Sequence, residues 1–399
     1  MKINFSPPDV GIEEAEAVRE AILSGWITTG PRTKRLEREI EAAVHAHRCV
    51  CLNSATAAME MALRLLGVGP GDEVIVPAYT YTATASVVCH VGATLVMVDS
   101  TPDDWQMDYD KVAAAITPRT KAVMPVDLGG VVCDYDQIMA VVESRRHMFV
   151  ASSEMQRALG RVAVVADSAH AFGAQWHGKM AGEIADFTSF SFHAVKNFTT
   201  AEGGALCWRA IEGIDSEALY HEAQLLSLHG QSKDALAKSR MGAWEYDIIA
   251  PFYKCNMTDI AAAIGLVQLR RYPALLERRK AIVERYEAGL KAAGIDFQSL
   301  PHYGADHRSC GHLMIVRLLG KTLEQRNKLI ELMAERGVAC NVHYKPLPMM
   351  TAYKKLGFDI NDYPCAYHLY ENEITLPLFS TMTDEQVDYV IGALAELVK

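Results

Sequence analysis

From Cys49 to Asp99 the apolar positions fall into short blocks of two kinds. VCLN, EVIVPA and TLVMVD are nearly continuous apolar runs of strand length, whereas TAAMEMALRLL and TATASVVCHV space theirs as helices do. Strand and helix in strict alternation predict a wound α/β sheet with helices on its faces. KAVMPVD at 121–127 and RVAVVADSAHAFGA at 161–174 continue the series as strands, with a helix from Tyr135 to Arg145 between them. Upstream, residues 12–23 place Ile12, Ala15, Val18 and Ile22 on one helical face before Gly25 stops the helix. Downstream, helices are expected at 216–228, 258–270 and 274–293. Strands at 312–318 and 338–344 and helices at 323–336 and 383–398 then suggest a smaller α+β unit. The organisation expected is an arm at 1–11, a large α/β domain at 12–272 and a small domain at 273–399.

The chemistry concentrates in DFTSFSFHAVKNFTTAEGGAL, residues 186–206. A β-prone stretch carries Lys196 just past its end, before the turn at Gly203 and Gly204. Ligands bind at strand ends in α/β proteins, and a lysine packed among Phe192, Val195 and Phe198 keeps a free amine able to form an imine. The run at 161–174 ends in Asp167, which serves either as a local backbone cap or as the partner of a pyridinium nitrogen. Pyridoxal phosphate needs one lysine and one such carboxylate, and Asp167 with Lys196 suits that pair. Ser54 and Thr56 open a helix whose amino end favours phosphate, and Tyr79 and Tyr81 follow the strand EVIVPA.

Composition narrows the field. A length of 399 residues exceeds one ordinary core, and a formal net charge of −10 argues against non-specific binding to nucleic acid or an anionic membrane. Nine cysteines without CxxC pairs or zinc spacing suggest no metal site and a reducing, cytoplasmic setting. No apolar run approaches the roughly 20 residues that span a bilayer.

NSATAAMEMAL at 53–63, GVGPGDEVIVPAYTYTATAS at 67–86, ADSAHAFGA at 166–174, SFHAVKNFTTAEGGAL at 191–206 and KCNMTDIAAAIGLVQL at 254–269 together resemble the DegT/DnrJ/EryC1/StrS nucleotide-sugar aminotransferases. The resemblance implies the aspartate aminotransferase-like fold type I, with a mostly parallel seven-stranded sheet. It implies pyridoxal 5'-phosphate on Lys196, with pyridoxamine 5'-phosphate formed in a two-stage exchange. Thr56, the amide of Ala57 and Ser191 would bind the phosphate, Tyr81 would stack on the ring, and His170 would face its phenolic oxygen. Asn256 would reach the partner's phosphate across a homodimer with shared sites. Trp26, Thr28, His343 and Tyr344 would touch substrate. Two positions depart from the pattern: Asp127 and Pro348 stand where histidines are usual, and residues 147–160 resemble an insertion. The reaction implied is amination of a nucleotide-linked keto sugar, a UDP-4-keto-6-deoxy hexose, by L-glutamate for surface polysaccharide. The alternatives are a pyridoxamine-dependent dehydratase, whose lysine is replaced by histidine, and a non-catalytic regulator on the same fold.

Overall fold

The computed structural model describes residues 1–232 and 245–398. Seven strands make one sheet: β1 Arg48–Leu52, β2 Glu73–Pro77, β3 Thr94–Val98, β4 Thr120–Val123, β5 Ala163–Asp167, β6 Phe187–Ser191 and β7 Gly204–Trp208. Their order across the sheet is β1-β7-β6-β5-β4-β2-β3. Pairs from β6 to β3 are parallel, and β7 alone is reversed against β1 and β6. This is the mostly parallel sheet expected. Strands β2, β4, β5 and β7 are buried along their whole length, which is why they read as near-continuous apolar runs.

Successive side chains enter opposite layers. Val74 and Val76 of β2 join a core with α3 Ala55–Leu65, α4 Thr82–His90 and α8 Ser216–Ser227. Ile75 instead meets α5 Tyr109–Ala115 and α6 Tyr135–Ser144. Cys49 and Cys51 of β1 pack towards α2 Pro31–Val44 and the start of α9 Asp259–Ala292. A second sheet, β8 Phe297–Ser299, β9 Met314–Leu318 and β10 Glu373–Leu376, is antiparallel throughout. It shares a separate core with the later half of α9, with α10 Leu323–Glu335 and α11 Asp384–Val398, and with Ile3 from the amino-terminal arm.

Two expectations change, and two segments gain detail. The helices expected at 258–270 and 274–293 are one, because α9 continues through Pro273, and the 272/273 boundary lies inside it. Loss of one backbone donor there is outweighed by burial of Tyr272 and Leu275 on either side. The strand expected at 338–344 is reduced to two isolated bridges, Val338 with Ile3 and Asn341 with Thr375. It stops because the His343 amide is taken by the Glu373 side chain. On α1, Ile12–Leu23, the apolar face faces outward, with Ile12 80% and Ile22 54% exposed. Glu14 and Ala21 are buried instead, since Glu14 accepts hydrogen bonds from Gln268 and Arg271 of α9. The stretch at 147–160 that resembles an insertion contains α7, Glu154–Leu159, which follows Ser153, and both Ser153 and Gln156 donate to the Leu66 carbonyl at the end of α3. Among the described residues no helix is long and apolar enough to cross a membrane.

Candidate active site

Because β1, β2, β4, β5 and β6 are parallel, their carboxyl ends and the start of β7 meet on one edge of the sheet. Ligands of open α/β sheets lie outside such an edge. A cavity of about 380 Å³ opens there, and Asp167, Ser191 and Lys196 line it together with Ser54, Thr56 and Tyr81.

Its floor begins at α3. Ser54 is extended, and its hydroxyl accepts the Ala57 amide at 3.1 Å. Ala55 and Thr56 line the cavity at the positive end of that helix. Ala57 does not line it, its amide being engaged by Ser54. The Glu-Gly-Gly turn has a packing reason: a Cβ on Gly204 would sit 2.4 Å from the Ala55 nitrogen, so glycine lets β7 approach the helix start. Ser191 ends β6 opposite that start.

Asp167 ends β5 and is 5% exposed. Its Oδ2 accepts the Thr84 hydroxyl at 2.6 Å and its Oδ1 the Ala169 amide at 3.2 Å. Burial raises its carboxyl above the ordinary range, against the pull of Thr84, Ala169 and Lys196. Lys196 follows β6 in the turn before β7. Phe192 and Phe198, flanking it, pack edge-on at 4.6 Å, whereas Val195 is 42% exposed and is not part of the expected packing. Burial lowers the Lys196 amine to about 8, and the Asp167 charge resists that shift. The pair is thus a lysine able to lose its proton near neutrality and a carboxylate held in place by two donors.

His170 Nδ1 accepts the Gly129 amide at 3.2 Å, so its proton lies on Nε2, which donates to Tyr344 Oη at 3.1 Å. Behind it, His312 lies 4.5 Å away ring to ring. Asn197 Nδ2 donates to the Cys310 carbonyl, leaving Oδ1 to accept from His312 Nδ1 at 2.8 Å. Burial, reinforced by Lys196, holds both histidines well below the ordinary range, so both are neutral. Tyr81 is 57% exposed at the cavity, while Tyr79 is core and donates to the His343 carbonyl. His343 and Tyr344 complete the far wall, and Phe5 and Ser6 of the arm lie over it.

Eight expected residues therefore share one cavity: Lys196, Asp167, Thr56, Tyr81, His170, Ser191, His343 and Tyr344. Ala57, Asn256, Trp26 and Thr28 do not line it. Three of those four lie together elsewhere. Asn256 Nδ2 donates to Thr29 Oγ1, Trp26 Nε1 donates to the Thr29 carbonyl at 3.2 Å, and the Thr28 carbonyl accepts the Asp259 amide. Thr84, His312, Asn197 and Phe5 belong to the site but carried no sequence signal beyond their elements. Asp127 is buried rather than substrate-facing; its carboxylate, pushed up to about 6 by burial, accepts from Ser168, the residue after Asp167.

Residues 8–395 match the profile of the DegT/DnrJ/EryC1/StrS aminotransferase family. The chain is 37% identical over 399 residues to the spore coat polysaccharide biosynthesis protein SpsC of Bacillus subtilis, covering 99% of this chain and 97% of SpsC. It is similar to Spr1654 of Streptococcus pneumoniae, described as a sugar aminotransferase. The PMP form of Spr1654 is 57% identical with TM-score 0.97, covering 100% of this chain and 99% of that one. Its PLP form is 55% identical with TM-score 0.96 over the same shares of the two chains. Helicobacter pylori PseC, an aminotransferase in the biosynthesis of pseudoaminic acid, is 26% identical with TM-score 0.85, covering 100% and 99%.

Proposed function

The chain belongs to the DegT/DnrJ/EryC1/StrS aminotransferase family, and we propose that it transfers an amino group from L-glutamate to a nucleotide-linked keto sugar, a UDP-4-keto-6-deoxy hexose. It is a pyridoxal-phosphate sugar aminotransferase of polysaccharide biosynthesis. The residues present fit that cofactor. Thr56, Ser191 and the start of α3 offer hydroxyls and amides to a phosphate, Tyr81 offers a ring face, and Asp167 offers a carboxylate for a protonated ring nitrogen. When bound, the cofactor supplies an aldehyde to carry nitrogen and a ring to take up an electron pair.

The chain supplies proton transfer and placement. Lys196 would hold the cofactor through Nζ, and its free amine would carry a proton from the α-carbon of the amino donor to the cofactor carbon that takes up nitrogen. Asp167, fixed by Thr84 and Ala169, keeps a proton on the ring nitrogen. His170 lines the same cavity with its one proton, on Nε2, directed at Tyr344 Oη, and a cofactor's phenolic oxygen would take that proton's hydrogen bond in place of Tyr344. The observation that carries this reading is that Lys196 and Asp167 face one cavity with the start of α3.

The active unit is a homodimer with shared sites. Asn256, Trp26 and Thr28 gather around Thr29, outside the cavity of their own chain, and Ile12, Ile22, Leu23 and Ile27 expose apolar surface on the adjoining α1 region. A second copy would cover that surface and receive Asn256 at its phosphate site. To test the substrate, the enzyme is incubated with glutamate and a panel of UDP-, dTDP- and GDP-linked keto sugars, and products are weighed by mass spectrometry. An amino sugar from a UDP-4-keto sugar is expected; loss of water without gain of nitrogen would replace the reading by dehydration.

A further inference from the structure

The far wall of the cavity holds a hydrogen-bonded chain that the transfer chemistry above does not use. Glu373, on β10, is fully buried. Its Oε2 accepts the His343 backbone amide at 3.0 Å and lies 4.0 Å from Arg326 Nη1. Its Oε1 accepts the Thr375 hydroxyl. Thr375 Oγ1, having given its one proton to Glu373, meets His343 Nδ1 at 3.0 Å as an acceptor. The imidazole proton is thereby placed on Nδ1, and Nε2 keeps a bare lone pair. Other contacts fix the residue as a whole: Tyr79 donates to the His343 carbonyl at 2.9 Å, and Phe5 stacks on its ring at 5.6 Å and 17°. Nε2 has no protein partner among the described residues, and the ring lines the cavity that holds Lys196.

We propose that Glu373 and Thr375 are positioning residues that hold His343 in the Nδ1–H form so that Nε2 accepts a hydrogen bond from a hydroxyl of the sugar substrate. The proposal rests on the keto-sugar reading above. A bare, uncharged nitrogen suits a hydroxyl and repels a carboxylate, so His343 discriminates between the two substrates that visit the cavity in turn. Burial and the Lys196 charge keep the imidazole neutral, lowering it to about 3. Burial lifts the Glu373 carboxyl to about 7, against Thr375, Arg326 and the His343 amide, so above that pH the chain runs in the direction given. A sequence reading assigns His343 only to the substrate region, because Glu373 and Thr375 lie 30 and 32 residues away and meet it through β10.

The test has a spectroscopic and a kinetic arm, both on cofactor-loaded enzyme. Two-bond proton–nitrogen correlation of histidine-labelled protein, recorded above pH about 7 and assigned with His343→Gln, is expected to show the Nδ1–H form. Thr375→Val should mix the two tautomers. It should raise the KM for the keto sugar about tenfold, the worth of one buried hydrogen bond, with kcat and the KM for glutamate little changed, and Thr375→Ser should restore both signals. An Nε2–H form in the unsubstituted enzyme, or equal rises in both KM values in Thr375→Val, would overturn the proposal. Failure of every keto sugar to react would overturn the functional reading and, with it, the hydroxyl partner, while the nitrogen spectrum still decides the tautomer.

Discussion

Thr84→Val isolates what holds the Asp167 carboxylate. The substitution keeps the branched shape and removes one hydroxyl from a site with no exposed surface. That hydroxyl donates to Asp167 Oδ2 at 2.6 Å and meets Thr80 Oγ1 at 2.8 Å, so no water can replace it at the first contact without opening the core. A hydrogen bond to a buried charge is worth about 2 kcal/mol, which corresponds to roughly thirtyfold in rate if it is lost only as the ring takes up negative charge. Because Thr84 is the largest influence holding the Asp167 carboxyl down, its loss lets burial raise that carboxyl further. A less basic pH is then not the remedy: the carboxylate is recovered only as pH rises. The assay is single-turnover reaction of the loaded enzyme with glutamate across pH, with Thr84→Ser as the control that keeps the donor. A Thr84→Val enzyme as fast as the unsubstituted one, with the same pH profile, would show that Ala169 alone positions Asp167.

Three further outcomes follow from the same geometry. Asp167→Asn should still bind cofactor yet slow proton removal from the amino donor by several orders of magnitude, since a neutral amide no longer matches the ring proton; normal turnover would reduce Asp167 to a strand cap. In cofactor-free protein the rate of reaction with pyridoxal phosphate should rise with pH and level off above about 8, the point to which burial lowers Lys196, rather than continue towards the ordinary lysine value of 10.5. In Asp167→Asn that midpoint should move lower still, because the charge that favours the ammonium form is gone. Mixing inactive Lys196→Ala chains with Asn256→Ala chains should yield activity above either parent, since one of the two shared sites is then intact; no rise despite proven exchange of subunits would return Asn256 to its own chain.

What was legible in the sequence is what local pattern determines. Strands buried on both faces announce themselves, and Asp167, Ser191, Lys196 and Thr56 stand at strand ends or a helix start, where their neighbours in sequence set the environment. Thr84 could not be read, because its partner Asp167 lies 83 residues away and the contact exists only once β5 and α4 are packed. His312 and Asn197, 115 residues apart, are the same case. Residue pattern alone did not separate Tyr79 from Tyr81; the family resemblance chose Tyr81, and the structure leaves Tyr81 at the cavity and turns Tyr79 into the core. The shared face of Ile12, Ala15, Val18 and Ile22 did not say which side of α1 meets α9; an ion pair, Glu14 with Arg271, decides that. The 338–344 segment failed as a strand for a related reason, a side chain claiming the backbone donor that a ladder would need.

If Lys196 and its cavity exchange nitrogen between an amino acid and a keto sugar, as proposed, the absorption spectrum of the loaded enzyme follows that exchange directly. A visible band that L-glutamate discharges and a keto sugar restores is expected, with no such cycle in Lys196→Ala. A band indifferent to glutamate, or a cycle that survives Lys196→Ala, would contradict it.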